Sequence, residues 1–184
     1  MGIHPWYVDA ENWERQLAEL EKTAEIENVL AIGECGLDRK IALPLQTQLL
    51  VFDAQVQLAE KYRKPVIIHC VKAFNELLQW KKSTQSTVPL IVHGFNNNLT
   101  MAKQLLAHGF HFSLGAALLQ PNSNAAKVIS ILPLEKLFLE NDDRDLPIKR
   151  VYEAGAAHLD MTVSELQAQI WANFAALFPQ TLKK

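Results

Sequence analysis

Four side chains that commonly bind metal ions lie at the ends of short apolar runs of the sequence. They are Glu34, His69, His93 and Asp142, and their successive spacings are 35, 24 and 49 residues. Imidazole nitrogens and carboxylate oxygens are the ligands that proteins use for Zn²⁺, Mn²⁺ and Mg²⁺. If the apolar runs are neighbouring strands of one sheet, this pattern predicts a site for divalent cations.

Each of these residues also has a structural explanation when it is considered alone. A single histidine after a strand is more often a hydrogen-bonded structural residue than a ligand. Acidic residues such as Glu140, Asp142, Asp143 and Asp145 are also typical of a solvated loop, although Asp142 follows a buried strand. The four candidates together favour the metal site. For Glu34, the glycines on both sides of Glu34-Cys35 indicate close backbone approach.

Alternating helices and buried strands are the elements that must position these residues. Short continuous apolar runs predict five strands, as in a sheet buried on both faces. These runs span residues 29–33, 66–68, 89–92, 110–114 and 137–139. Helical periodicity predicts helices over 11–27, 44–62, 72–82, 99–108 and 123–131. A capping box, Thr162 to Glu165, begins a helix with Leu166, Ile170, Phe174 and Leu177 on its buried face.

Units of 25 to 35 residues that alternate strand and helix are typical of right-handed βαβ crossovers in a parallel sheet. The pattern is compatible with an open doubly wound sheet or with a (β/α)₈ barrel. In both folds the carboxyl ends of the strands lie at one edge of the sheet. All four candidate ligands are therefore expected at that edge. No repeat or linker divides the chain, and one domain over 1–184 is expected.

Composition limits the class of protein. The 184 residues carry a net charge of −2 and are 49% hydrophobic, which excludes a disordered chain and gives no global electrostatic case for nucleic-acid binding. No apolar run approaches the ~18 residues of a membrane span, and the amino terminus lacks export features, so a cytoplasmic protein is expected. Cys35 and Cys70 are expected to stay reduced, and His108 and His111 to have capping or surface roles.

From Gly2 to Phe178 the sequence resembles the TatD-related family of metal-dependent deoxyribonucleases, which are (β/α)₈ barrels of the amidohydrolase kind. The resemblance depends on an ordered series of short motifs. They are Gly2-Ile3-His4-Pro5, Ile32-Gly33-Glu34-Cys35-Gly36-Leu37-Asp38, Gln48 with Phe52 and Gln55, Pro65-Val66-Ile67-Ile68-His69, Val92-His93-Gly94-Phe95, Phe112-Ser113-Leu114-Gly115, Leu137-Phe138-Leu139-Glu140-Asn141-Asp142 and Asn173-Phe174.

The resemblance implies a hydrolase that cleaves phosphodiester bonds in DNA, with two divalent ions (Mg, Mn or Zn) as cofactors. It implies that Glu34 bridges the two metals, that His69 and His93 each bind one, and that Asp142 is a ligand that also takes the proton of the attacking water. Glu34 and Asp142 are therefore the expected catalytic residues. His4 is expected to contact the substrate phosphate, and the protein is expected to act as a monomer.

The sequence departs from the family pattern around the substrate and at its beginning. The usual arginine two residues after His69 is replaced by Val71, so Lys72 is the expected phosphate contact, and Arg144 is a second one. The family's initial His-x-His strand does not occur in these residues. Because a barrel of this kind typically needs ~250 residues, the expected fold is a barrel that lacks its first two strands and begins inside the strand that ends at His4.

Two other functions remain open at this point. An enzyme of the amidohydrolase kind would act on small esters, amides or phosphorylated metabolites. A catalytically impaired, truncated protein would bind one metal or a partner through its open sheet edge.

Overall fold

The computed structural model describes residues 1–142 and 145–179. These residues form two compact units, Met1–Ile91 and Val92–Pro179. Helices and parallel strands alternate along each unit, which confirms the predicted α/β pattern.

The first unit carries the strands that hold Glu34 and His69. Its elements are α1 (Trp13–Ala24), β1 (Ile32–Asp38), α2 (Leu45–Tyr62), β2 (Val66–Val71), α3 (Phe74–Ser83) and β3 (Leu90–Val92), whose last residue already belongs to the second unit. The strands follow the order β1-β2-β3. β1 and β2 are parallel, with Gly36 opposite His69.

The second unit begins at the end of β3, directly before His93. Its elements are α4 (Leu99–Ala107), β4 (His111–Leu114), α5 (Asn124–Ile129), β5 (Leu137–Leu139), α6 (Ile148–Leu159) and α7 (Val163–Leu177). β4 and β5 are parallel neighbours, with Ser113 opposite Phe138. This pairing brings the carboxyl ends of β4 and β5, and therefore Gly115 and Glu140, to the same edge.

Each unit has an apolar core built from the predicted buried faces. In the first unit Phe52 of α2 is completely buried and packs edge-on against Trp80 of α3, with ring centroids 4.7 Å apart. In the second unit Phe95 packs edge-on against Phe112 of β4 at 5.0 Å. Such pairs add roughly 0.5–1.5 kcal/mol to the stabilisation from burial itself.

α7 follows the prediction at its beginning and departs from it further along. The capping box of Thr162 and Glu165 is present, and Leu166 and Ile170 are buried. Phe174 and Leu177 are only half-buried. Asn173 is buried instead, because its side-chain amide donates hydrogen bonds to the carbonyls of Leu134 (2.7 Å) and Leu137 (2.8 Å).

β1 is longer than the sequence indicated. The predicted run 29–33 ended in Glu34, whereas β1 begins at Ile32 and continues through Cys35 and Gly36 to Asp38. The continuation depends on close approach to β2: a Cβ atom on Gly36 would lie 2.0 Å from the carbonyl oxygen of His69, and one on Gly33 would lie 2.6 Å from that of Ile67. The close backbone approach predicted around Glu34 is thus confirmed, and Glu34 lies inside the strand.

The expectation that the chain begins inside a strand that ends at His4 is wrong. Among the described residues no strand precedes β1, and a 3₁₀ helix, Pro5–Tyr7, follows His4 directly. The physical reason lies at Ile3, whose backbone N–H and carbonyl are both bonded to the side-chain amide of Gln55 rather than to a neighbouring strand.

The two histidines near β4 differ from each other. His108 is the C-cap residue of α4, with Nδ1 2.8 Å from the carbonyl oxygen of Gln104, which confirms its capping role. His111 was expected at a cap or on the surface, but it is a buried residue of β4 with Nε2 3.2 Å from Nζ of Lys136. In the part of the chain that the structure describes, no helix has the length and apolar character needed to cross a membrane.

Candidate metal centre

His4, Glu34 and His69 form a cluster of possible metal ligands in the first unit. One ligand atom from each residue lies within 4.8 Å of those of the other two, and all three residues are half-buried. The rings of His4 and His69 have centroids 4.4 Å apart. Two imidazoles and one carboxylate suit a borderline divalent ion such as Zn²⁺ or Mn²⁺. The structure thus brings the predicted ligands Glu34 and His69 together and adds His4, which was expected only to contact substrate.

Asp38 lies behind His69 at the end of β1. Its Oδ2 is 3.3 Å from Nε2 of His69 and accepts a 2.8 Å hydrogen bond from Nε1 of Trp6, and the residue is only 2% exposed. Burial acts to raise the pKa of Asp38, but the hydrogen bonds from Trp6, the Lys40 backbone and His69 outweigh it, so the pKa lies below its ordinary value. A charged carboxylate favours a proton on Nε2 of His69 and leaves Nδ1 as the nitrogen suited to a cation.

Two buried glutamines of α2 hold the backbone segments that carry this cluster. Gln55 accepts a 2.7 Å hydrogen bond from the N–H of Ile3 and donates to its carbonyl at 3.1 Å. Gln48 accepts from the N–H of Asp38 at 2.6 Å and donates to its carbonyl at 3.0 Å. Because the glutamines stand seven residues apart, about two turns of helix, they lie on the same face of α2. One helix face thus fixes both His4 and Asp38.

His93 and Glu140 form the corresponding pair of the second unit. Nδ1 of His93 lies 3.4 Å from Oε1 of Glu140, and the N–H of Gly94 donates to the same oxygen at 2.7 Å. Burial acts to raise the pKa of Glu140, but hydrogen bonds from His93, Ser113 and Gly94 outweigh it and hold the pKa below its ordinary value. Glu140 is therefore a charged, fixed carboxylate beside His93.

Asp142 lies in an exposed turn after β5, with a left-handed φ of 52° that aspartate tolerates better than most residues. With Glu140 it borders a cavity of about 140 Å³ in the second unit. The other lining residues are Gly94, Asn96, Gly115, Ala116, Ala117 and Asn141. The predicted ligand Asp142 is thus one of the residues that line a polar cavity.

Lys72 and Arg144 are the two cationic residues predicted to contact substrate. Lys72 is exposed in the turn between β2 and α3, with a φ of 54°. Arg144 lies outside the described residues. Both roles stay predictions.

Neither cysteine takes part in the cluster. Cys35 and Cys70 are free thiols, as expected. Burial raises the pKa of Cys35 to about 12 and also raises the pKa of Cys70, so both thiols stay neutral near pH 7. A metal-binding cysteine would be a thiolate.

Sequence reasoning missed three residues of these clusters, namely Trp6, Asp38 and Glu140. Asp38 closes the motif that contains Glu34, but the predicted strand ended in Glu34 and left Asp38 without a position. Glu140 directly follows β5, and the acidic residue types after that strand gave no signal that separated Glu140 from a solvated loop. The signal for both carboxylates is their position, since Asp38 ends β1 and Glu140 directly follows β5.

Comparison with known proteins places the chain in one family. A family model described as TatD related DNase matches residues 1–179. A protein named as an uncharacterized metal-dependent hydrolase from Haemophilus influenzae is 30% identical over 156 residues, which cover 80% of this chain and 59% of the relative. A 3'-5' ssDNA/RNA exonuclease TatD from Pantoea sp. is 33% identical over 150 residues, which cover 77% of this chain and 55% of the relative.

A solved structure gives the same result for the fold. The crystal structure of YjjV, a TatD homologue from Escherichia coli K12, matches with a TM-score of 0.85 and 26% identity, covering 97% of this chain and 75% of YjjV. This match confirms the predicted TIM-barrel-like α/β class. The chain spans less than two thirds of the length of the two curated relatives above. Since the family model matches nearly the whole chain, the chain belongs to the TatD-related deoxyribonuclease family.

Proposed function

We propose that this chain contributes the metal-binding residues of a TatD-type hydrolase that cleaves phosphodiester bonds in DNA. The observation that carries the proposal is the cluster of His4, Glu34 and His69, whose ligand atoms lie within 4.8 Å of one another. The family supports it, because one relative is named a metal-dependent hydrolase and another a single-stranded DNA and RNA exonuclease.

Two divalent ions (Mg, Mn or Zn) are the proposed cofactors, and the chemistry of the proposed ligands, imidazoles and carboxylates, supports them. Glu34 and His69, with His4 as a third possible ligand, are proposed to bind metal in the first unit, and His93 and Asp142 in the second. When bound, such ions lower the pKa of a water molecule and offset negative charge at phosphorus.

The two carboxylates at the end of β5 suit different tasks. Oε1 of Glu140 accepts from Gly94 and lies beside His93, so Glu140 is suited to orienting that imidazole. Asp142 is exposed at the cavity wall, which suits a carboxylate that must accept a proton from the attacking water. We therefore assign the general-base role to Asp142 rather than to Glu140.

The substrate would be positioned by the residues around the cluster. His4 is proposed to contact the phosphate in addition to its place among the ligands, with Lys72 and Arg144 as cationic contacts. A cytoplasmic location and a monomeric state complete the proposal.

Cleavage of a single-stranded oligonucleotide with Mg²⁺ or Mn²⁺ tests the function. We expect the wild-type protein to cut it, and Glu34→Ala or Asp142→Ala to reduce the rate by at least about 100-fold, since each removes a proposed ligand. Glu27→Ala and Asp145→Ala are the matched controls, because both side chains are exposed. Unchanged cleavage by the first two variants would contradict the proposal.

Other results would select the alternatives. Hydrolysis of a small aryl ester without any cleavage of DNA would indicate an amidohydrolase-type enzyme. Binding of no more than one metal per chain without turnover would indicate a catalytically impaired protein.

A further inference from the structure

Trp6 is a large aromatic residue that stays exposed beside the His4–Glu34–His69 cluster. It lies in the 3₁₀ helix Pro5–Tyr7 and exposes 59% of its surface. Its ring centroid is 5.0 Å from that of His4 and 6.0 Å from that of His69. An indole that could bury its apolar surface, but instead presents it next to a possible metal site, is suited to contact a ligand there.

The indole is held in place although most of it is exposed. Nε1 donates a 2.8 Å hydrogen bond to Oδ2 of Asp38, the same oxygen that lies 3.3 Å from His69. The backbone N–H of Trp6 donates to Nδ1 of His4 at 3.2 Å. The ring is nearly perpendicular to both imidazoles, at 87° to His4 and 76° to His69. A ring fixed in this way loses little conformational entropy when a ligand stacks on it.

The ring of Trp6 has a different environment from that of Trp171, the other tryptophan of comparable exposure. Trp171 is 60% exposed, but its ring stacks on that of Phe174 at an interplanar angle of 22° and a centroid distance of 5.7 Å. A neighbouring aromatic ring of the same helix thus covers one of its faces. Next to Trp6, in contrast, Tyr7 adds a second exposed ring, 72% exposed and 5.9 Å from His4.

We propose that the exposed indole of Trp6 is a stacking surface for an unpaired nucleobase of the nucleic acid whose phosphodiester binds at the His4–Glu34–His69 cluster. This inference rests on the proposed function. Aromatic side chains bind single-stranded nucleic acid by stacking on bases, and any base has the required π face. A base inside a duplex is already covered by its neighbours, so Trp6 selects single strands and frayed ends over intact duplex.

The hydrogen bond between Trp6 and Asp38 also fixes the position of the stacking surface relative to His69. Trp6 and His69 share one carboxylate oxygen, so the stacking ring and the proposed ligand have a fixed separation. The nucleotide whose base stacks on Trp6 would then place its own phosphate, rather than that of a neighbouring nucleotide, at the cluster. Trp6 is therefore a specificity-determining residue rather than a catalytic one.

Binding of two oligonucleotides tests the inference directly. One is a fluorescein-labelled single strand, and the other is the same strand with abasic residues at its unlabelled end. Fluorescence polarisation with Ca²⁺ as the divalent ion gives both Kd values, and electrophoresis verifies that the strands stay intact. We expect the wild-type protein to bind the intact strand on the order of 10-fold more tightly, the effect of one stacked base.

The variants separate stacking from folding. Trp6→Ala is expected to remove the difference between the two strands, and Trp6→Phe, which keeps an aromatic face without the N–H, to retain part of it. Trp171→Ala is the matched control and should keep the full difference. If Trp6→Ala still prefers the intact strand as strongly as the wild type does, the inference is wrong. If Trp6→Ala fails to fold, equal binding of both strands by the wild-type protein still overturns it.

The binding test of Trp6 and the cleavage test of the proposed function can fail independently of each other. Cleavage of DNA together with base-independent binding would leave the function standing and overturn the role of Trp6. Base-dependent binding that Trp6→Ala abolishes, without cleavage under any metal, would support the role of Trp6 and contradict the nuclease.

Discussion

The carboxylate of Asp38 lies 3.3 Å from Nε2 of His69 and is almost completely buried. A carboxylate that accepts from one imidazole nitrogen orients the ring and raises the basicity of the other nitrogen. Asp38 is thus a positioning residue for the proposed ligand His69.

Asp38→Asn is therefore expected to weaken binding of Mn²⁺ or Zn²⁺ by roughly 10- to 100-fold, the usual effect of losing such a partner. Isothermal titration calorimetry on the metal-free protein measures it without any need for turnover. Asp160→Asn is the control, since Asp160 caps α6 and asparagine tolerates its left-handed φ of 53°. Equal affinities of Asp38→Asn and the wild type would rule out this role.

Replacing Gln55 by leucine should loosen the segment that carries His4. The variant removes both hydrogen bonds to Ile3 and leaves its backbone groups without these partners, at a cost of about 1–3 kcal/mol. Urea unfolding measures that loss, and metal titration should show weaker binding. Gln57→Leu, on the exposed side of the same helix, should change neither quantity appreciably. A Gln55→Leu protein with wild-type stability would contradict the assignment.

Gly36 and Gly109 both have positive φ but differ in the space around them. Both have positive φ, 144° and 83°, but a Cβ on Gly36 would meet the His69 carbonyl at 2.0 Å, whereas nothing lies within 4 Å of one on Gly109. Gly109→Ala should cost about 1 kcal/mol of unfolding free energy from strain. Gly36→Ala should cost at least about 3 kcal/mol more, because β1 and β2 must separate. Thermal and urea unfolding compare them, and similar losses would be inconsistent with this packing.

The hydrogen bonds to Glu60 are expected to make part of the free energy of unfolding depend on pH. Its carboxylate accepts hydrogen bonds from Ser86 (2.8 Å), the N–H of Val88 (3.1 Å) and both polar groups of Thr87. Burial acts to raise the pKa of Glu60, but these bonds outweigh it and hold the pKa below its ordinary value of 4.5. Because the folded pKa is the lower one, the stabilisation is present above pH 4.5 and is lost as the pH falls through the folded pKa.

Glu60→Gln should therefore be less stable than the wild type by about 1–2 kcal/mol at pH 7, with the difference shrinking below pH 4.5. Urea unfolding of both proteins from pH 7 to pH 3 measures the difference. The exposed Glu27→Gln should show none. A difference that stays constant over this range would show that the charge of Glu60 is not involved.

Much of the architecture could be predicted because it depends on local periodicity. The apolar stripe of α2 and the short strands β3 and β5 follow from side-chain spacing alone, and α2 begins within one residue of the predicted start. The length of β1 could not be predicted in this way, since polar Glu34 and Asp38 continue a strand only where glycines allow β2 to approach.

The sequence by itself determined the family, the alternation of helices with parallel strands, and the identity of Glu34, His69, His93 and Asp142 as candidate ligands. These depend on residue type and order along the chain. Only the tertiary structure decided that His4 joins Glu34 and His69, and that Asp38 links His69 to an exposed Trp6. The pairs Asp38–His69 and Asp38–Trp6 are separated by about thirty residues in sequence. Contacts over such separations arise only when strand pairing and helix packing bring the segments together, which no local pattern records.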